Sequence, residues 1–300
     1  MTTKKCFAAI VAFASIMAST SITAQELKQF TLEDLNFGGV NYRKFIPERL
    51  YTTWWGDQLM HLDVEETGVV DMKTGKKRAL FTLDDINNKL DGENVVRTLQ
   101  RVSFPYPGKT LALVASKTTR MLYDWSKCEV VWNQPCEGET ETHWNKTSRI
   151  SAYVKDNQLW ITDAKGKSTQ LTTDGTRDIV YGQSVHRNEF GIEEGIFWAP
   201  DGNRFAFYRM DQTMVTDYPQ VNTFERVATY EPDKYPMLGM TSHKVTVGIY
   251  DCPTGKIQYL NTGDATDRYF TNIAWSPDSK TVYMFELNRL QNDCQLVSYD

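Results

Sequence analysis

The sequence predicts an all-β protein, a β-propeller of four-stranded antiparallel blades, and three observations carry that expectation. The first is composition: 12% of the 300 residues are aromatic (8 Trp, 15 Tyr, 14 Phe), and aromatic side chains suit a pleated, half-buried surface. The second is a recurring turn signature that ends one strand and opens the next. Phe104-Pro105-Tyr106-Pro107-Gly108-Lys109 precedes Thr110 to Ala115, Trp198-Ala199-Pro200-Asp201-Gly202-Asn203 precedes Arg204 to Tyr208, and Trp275-Ser276-Pro277-Asp278-Ser279-Lys280 precedes Thr281 to Phe285. Proline fixes φ in such a turn and Asp-Gly supplies the reversal. The third is a second hairpin following at a distance, strand then polar-Gly turn then strand: Gly68–Phe81 around Met72-Lys73-Thr74-Gly75-Lys76-Lys77, Leu159–Leu171 around Ala164-Lys165-Gly166-Lys167, and Thr246–Leu260 around Asp251-Cys252-Pro253-Thr254-Gly255-Lys256. Two hairpins per unit make one propeller blade.

In chain order, the N-terminus comes first. Lys4 and Lys5 precede an apolar stretch, Cys6 to Ala18, and small Ala24 stands before Gln25. This pattern is a secretory signal peptide over residues 1–24, with Ile22 a less usual residue at −3. Short helices are expected at Leu32–Leu35 and Leu83–Leu90. Blades are expected near 36–90, 96–140, 143–178, 194–265 and 270–300. The interval from Pro200 to Pro277 exceeds the roughly 40–50 residues of a blade, so Met210 to Met240 is read as an insertion, and long insertions of this kind are commonly functional. The last blade stops at Tyr299-Asp300 in what reads as its third strand. An open apolar edge is a liability, so about four and a half blades of a larger propeller are expected here, with more chain after Asp300.

Cleavage would leave Cys128, Cys136, Cys252 and Cys294, in an exported compartment that permits disulfides. Cys128 and Cys136 flank Trp132-Asn133-Gln134-Pro135, read as a turn, so a local bridge between them is one of three pairings open to four cysteines. The spacings do not match a metal site, and no cofactor is implied. A formal net charge of −5 lacks the basic footprint of a nucleic-acid binder. No apolar run after the signal peptide is long enough to span a membrane. There is no Gly-x-Ser-x-Gly elbow, Walker A, Gly-x-Gly-x-x-Gly or His-Glu-x-x-His motif. Ser184 and His186 are two apart, which in a strand puts both on one face without catalytic meaning. Asn145-Lys146-Thr147 matches a glycosylation sequon that recurs by chance.

The informative stretch is Gly182 to Gln212. It carries Glu189, Glu193 and Glu194 ahead of a blade's first strand, where a carboxylate can capture an ammonium; composition alone reads the same residues as a solvated acidic turn. The residues Ser184-Val185-His186-Arg187-Asn188-Glu189-Phe190-Gly191-Ile192-Glu193, Phe197-Trp198-Ala199-Pro200, Ala206–Gln212, His243–Tyr250 and Asn272–Asp278 resemble the propeller of the prolyl oligopeptidase clan, in the dipeptidyl peptidase IV subfamily. Within it they look most like the bacterial prolyl tripeptidyl peptidases. The resemblance implies an eight-bladed propeller capping an α/β-hydrolase domain that supplies Ser, Asp and His, here expected after residue 300. It also implies a glutamate that binds the substrate's free α-amino group. Counting back from the Trp-x-Pro turn, Glu189-Phe190-Gly191 falls on the family's Glu-Phe-Gly, so Glu189 matches the second of the dipeptidyl members' paired glutamates and Asn188 stands in place of the first. Glu193 and Glu194 fall where the next strand begins. Arg120 stands near the arginine with which dipeptidyl members hold a substrate carbonyl, though without that residue's usual neighbours; it could equally pair with a carboxylate inside the propeller.

The function so implied is the gating and N-terminus-anchoring part of an exported serine aminopeptidase that cleaves after proline. Its partner would be a peptide with a free N-terminus and a proline near it, and family members often form homodimers. The 300 residues alone, lacking the triad, are expected to be inactive. The rival reading is a non-catalytic periplasmic propeller that binds a peptide or a protein.

Overall fold

The computed structural model describes residues 29–47, 49–92 and 94–300. The expected signal peptide, residues 1–24, lies outside the described residues. The chain divides into two compact units, one ending at Leu50 and the other running from Tyr51 to Asp300.

In the first unit a single turn of helix, α1 (Leu32–Leu35), starts where the sequence placed it. Its Thr31 hydroxyl accepts the Asp34 N–H at 3.2 Å while the Asp34 carboxylate accepts the Thr31 N–H at 3.0 Å. This capping box satisfies two otherwise orphaned donors. The described residues between 36 and 50, a stretch expected in the first blade, contribute no strand to it.

The second unit holds five larger antiparallel sheets in chain order. The first is β1 (Tyr51–Trp55), β2 (Gln58–Leu62), β3 (Glu66–Val70) and β4 (Lys77–Thr82), followed by α2 (Leu83–Asn87). The second is β5 (Leu111–Ala115), β6 (Thr119–Asp124) and β7 (Glu129–Pro135), with Ser103 bridged to Leu113 where a fourth strand would stand. The third is β8 (Thr140–Trp144), β9 (Ser151–Lys155), β10 (Gln158–Thr162) and β11 (Ser168–Gln170). In the fourth, β12 (Ile179–Tyr181) and β13 (Ile196–Trp198) both pair with β14 (Arg204–Asp211). The chain then leaves through an arm of two short ladders, β15 (Asp217–Tyr218) with β18 (Asp233–Lys234) and β16 (Val221–Asn222) with β17 (Thr229–Tyr230). It returns as β19 (Lys244–Asp251) and β20 (Lys256–Tyr259). The fifth sheet is β21 (Arg268–Trp275), β22 (Val282–Asn288) and β23 (Cys294–Tyr299). This is the β-propeller expected, and the insertion expected between Met210 and Met240 is the arm.

Consecutive sheets bury their faces against each other. Met60, Leu62 and Phe81 of the first meet Ala112, Val114 and Tyr123 of the second. Leu159 and Ile161 of the third meet Ile196, Phe205 and Phe207 of the fourth, and Tyr208 and Val247 of the fourth meet Phe270 and Met284 of the fifth. Tryptophans staple the layers. Trp198 donates its indole N–H to the His143 carbonyl at 2.8 Å, and Trp275 donates to the Phe197 carbonyl at 2.9 Å. The tryptophan of the turn signature thus ties the fourth and fifth sheets each to the one before it, filling an apolar gap while satisfying a partly buried carbonyl.

Cys128 and Cys136 are free thiols, and the proposed local bridge is corrected by geometry. The segment between them is β7, an extended strand and not a turn. At about 3.3 Å per residue it holds its ends far beyond the roughly 7 Å limit for a disulfide. Pro135 is tolerated because β7 pairs only with β6, so its missing N–H lies on the unpaired side. The sequon residue Asn145 is likewise structural: its side-chain oxygen accepts the Thr147 and Ser148 N–H groups at 2.8 and 3.0 Å.

Candidate substrate-anchoring site

One edge of the fourth sheet is interrupted. Tyr181 pairs with Arg209 and Ile196 pairs with Phe207, so residues 182–195 all stand opposite the single residue Tyr208. The Gly182 N–H donates to the Tyr208 carbonyl at 2.9 Å, and the Tyr208 N–H donates to the Gly195 carbonyl at 3.0 Å. The two feet of this excursion are pinched together. A Cβ on Gly195 would lie 2.3 Å from Gln183 N, Gln183 O and Gly182 C, so only glycine fits there. Tyr208 seals the base, its hydroxyl donating to the Phe270 carbonyl at 2.9 Å.

The crown of the excursion has an unusual backbone. His186, Arg187, Asn188 and Phe190 have φ of 53°, 60°, 60° and 59°, the left-handed region that L-residues other than Gly, Asn and Asp rarely enter. The sequence reading of Ser184 and His186 as strand neighbours is therefore corrected. The Ser184 hydroxyl donates to the Ile192 carbonyl at 2.9 Å and sits against the Asn188 amide, closing the loop on itself. His186 turns inward and is buried. Outliers of this kind persist only where surroundings over-determine them, and they cluster at functional sites.

Glu189 stands on this crown. Its side chain is exposed, and its carboxylate has no hydrogen-bond or ion-pair partner among the described residues. Beside it the Phe190 ring packs on Tyr269 with centroids 5.2 Å apart. Tyr269 feels both the Glu189 carboxylate and the Arg289 guanidinium, and burial holds its hydroxyl above the ordinary tyrosine range. Cavities open on both flanks of the excursion. One, of about 560 Å³, is lined by Ser184, Arg187, Asn188, Lys234 and His243 among others. The other, of about 240 Å³, is lined by Glu193, Glu194, Phe197 and Asn272 among others. Glu193 and Glu194 are exposed immediately before β13, at the strand start where the sequence placed them.

Arg120 is placed apart from Glu189, at the joint between the second and third sheets. Its guanidinium donates to Glu139 at 2.8 Å, to Gln134 Oε1 at 3.2 Å and to the Ser151 hydroxyl. The Arg120 and Glu139 side chains are only 11% and 4% exposed. Gln134, fully buried, completes the joint by donating to the Thr162 and Asp163 carbonyls, each at 2.8 Å. Arg120 is also among the residues lining a cavity of about 460 Å³.

Sequence reasoning missed the partner of His186. The His186 and His243 rings lie 5.0 Å apart, and their Nδ1 and Nε2 atoms are 2.8 Å apart. A signal existed in the scarcity of histidine, with 4 in the chain, but nothing in the spacing links positions 186 and 243.

The family described as "Dipeptidyl peptidase IV (DPP IV) N-terminal region" matches residues 108–300. The chain belongs to that family. The crystal structure of a protein assigned as dipeptidyl aminopeptidase IV from Bacteroides ovatus is 40% identical with a TM-score of 0.76, over 91% of this chain and 38% of that one. Porphyromonas gingivalis dipeptidyl peptidase 4 shares the fold, with a TM-score of 0.65 at 19% identity over 90% of this chain and 40% of that one. A protein assigned as dipeptidyl-aminopeptidase B of Talaromyces marneffei is 27% identical over 176 residues, 52% of this chain. The chain spans 20% of that relative's length. Among the described residues no helix is long and apolar enough to cross a membrane.

Proposed function

We propose that this chain is the substrate-gating part of an exported serine peptidase that releases short N-terminal peptides by cleaving after proline. Glu189 grips the substrate's free ammonium, and an α/β-hydrolase domain beyond these residues supplies the nucleophile, its base and the oxyanion hole. The observation that supports this reading best is an exposed carboxylate, unpartnered among the described residues, on a backbone excursion that interrupts one edge of a blade. A fixed ammonium anchor acts as a ruler: it delivers the scissile bond to the nucleophile only when the right number of residues lies between them. One glutamate at 189, with Asn188 where dipeptidyl members carry a second, supports a tripeptidyl register. Arg120, engaged on three sides, is better suited to joining two blades than to holding a substrate carbonyl. The arm, with Phe224, Val227 and Leu238 exposed, offers a surface for a second copy of the chain.

The test is Glu189→Gln in the full-length protein, assayed on a prolyl peptide with a free N-terminus and on its acetylated counterpart. A charge-assisted hydrogen bond contributes about 1.5–3 kcal/mol, so kcat/KM on the free-amine peptide is expected to fall about ten- to hundredfold while the acetylated peptide is unaffected. Equal losses on both peptides would defeat the proposal.

A further inference from the structure

Four left-handed residues do not hold their own conformation, so the contacts that fix the crown of the excursion matter. Those reaching outside it come from three places. Arg187 donates to Asp233 at 2.7 Å and stacks over the Tyr235 ring, 4.9 Å away, both on the arm. Phe190 rests on Tyr269. His186, the buried contact, bonds to His243 at the root of the arm and to the backbone of β21.

The protonation pattern of the histidine pair follows from its neighbours. The Phe270 N–H donates to His186 Nε2 at 3.2 Å, so that nitrogen carries no proton. His186 Nδ1–H then donates to His243 Nε2 at 2.8 Å. Each ring is neutral, and each accepting nitrogen already faces an N–H. A further proton on His186 Nε2 would confront the Phe270 N–H, and one on His243 Nε2 would confront His186 Nδ1–H.

We infer that His186 and His243 form a latch that holds the Glu189 excursion in its anchoring conformation and releases it on acidification, making both histidines positioning residues for amine capture. This inference rests on the anchoring role proposed for Glu189.

The surroundings favour the neutral pair. Burial pushes His186 down to about 3, with the neighbouring His243 adding to the effect. Burial, then the Arg289 and Arg187 guanidinium groups, push His243 down to about 4. The charged and titratable groups facing the pair are Arg187 from the excursion, Arg289 from the end of β22, and Tyr269 from β21. The nearby carboxylates are Asp233, bound to Arg187, Asp267, bound to Arg289 at 2.9 Å, and Glu189. Once released, the histidines return toward their ordinary 6.5. Below that value the open state binds more protons than the closed one, so the closed state loses ground as pH falls from about 6.5 toward about 3 and is fully favoured above 6.5. Each histidine contributes up to about tenfold per pH unit to the closing equilibrium.

The experiment uses the full-length protein and the ratio of kcat/KM for the free-amine and acetylated prolyl peptides, read at about pH 7.5 and about pH 5.5. The peptide's ammonium is more fully protonated at the lower pH, so a falling ratio does not come from the substrate. The wild-type ratio is expected to fall between the two by up to about a hundredfold, up to about tenfold from each histidine. His243→Gln offers His186 an acceptor that does not titrate; it should keep the ratio near pH 7.5 and cut the fall to at most the roughly tenfold that His186 alone contributes. His243→Phe keeps the volume but removes the acceptor, and should lower the ratio about tenfold already near pH 7.5. Hydrogen–deuterium exchange of residues 182–195 is measured on the same proteins, and faster exchange in His243→Phe than in wild type is expected. Equal exchange in the two, or a pH fall unchanged by His243→Gln, would overturn the latch. If exchange opens as expected while Glu189→Gln leaves the ratio intact, the latch stands and the anchoring role of Glu189 falls.

Discussion

Arg120 and Glu189 were both nominated by sequence, and the structure gives them opposite surroundings. Arg120 is almost covered and satisfied by Glu139, Gln134 and Ser151. Glu189 is exposed on a loop whose own backbone is strained, with no partner for its carboxylate among the described residues. A buried charge whose bonds are filled holds its surroundings together, and removing it strands the other half of the pair. An exposed charge left open contributes little to the fold and is available to a ligand. The difference separates a charge engaged within the protein from one open to solvent more sharply than residue type does.

Substitutions can break or sharpen that contrast. The largest effect is expected from Arg120→Met, which leaves Glu139 buried without its cation and should destabilise the protein by about 3–5 kcal/mol in denaturant titrations. Adding Glu139→Leu should restore much of the loss. An Arg120→Met variant with unchanged stability and selectively impaired peptide cleavage would place Arg120 with Glu189 instead. Gly195→Ala comes next, because its Cβ would overlap backbone atoms of Gly182 and Gln183. A loss of about 1–3 kcal/mol, with reduced preference for free-amine peptides, is expected. Glu189→Gln should change stability by less than about 0.5 kcal/mol, whatever it does to catalysis. The smallest effect belongs to Cys128→Ser and Cys136→Ser: melting temperature should be the same with and without reductant. Exposed Cys128 should react with a maleimide faster than Cys136, whose thiol burial pushes up.

Much of the blade pattern was legible because its signals are local. Pro200 and Pro277 mark reversals, the Gly-Lys turns mark hairpins, and Trp198 and Trp275 stand where a side chain must both fill a gap and donate a hydrogen bond. The excursion was not legible. Its limits are set by which residues of β12 and β13 pair with β14, a choice made across the sheet. Its left-handed residues are His, Arg, Asn and Phe, of which only Asn favours that conformation. Glycines at 182 and 195 were the available clue, yet Gly195 is required by a contact with its own loop foot and not by its φ. The Trp132–Pro135 segment misled for the converse reason: proline at a sheet edge looks the same in sequence as proline in a turn.

The neighbouring blade shows how an excursion of this kind is accommodated. In the fifth sheet, residues 272 and 273 bulge out of β21 between the pairs Thr271–Phe285 and Ala274–Tyr283. In the fourth, residues 182–195 leave and re-enter opposite Tyr208 alone. Because departure and return share one rung of the ladder, the number of residues between them is invisible to the rest of the sheet. Under the anchoring role proposed for Glu189, peptide length preference would be retuned by lengthening or shortening one loop, leaving every strand register untouched. Loops exchanged between family members at positions 182 and 195 should transplant the ruler without rebuilding the frame.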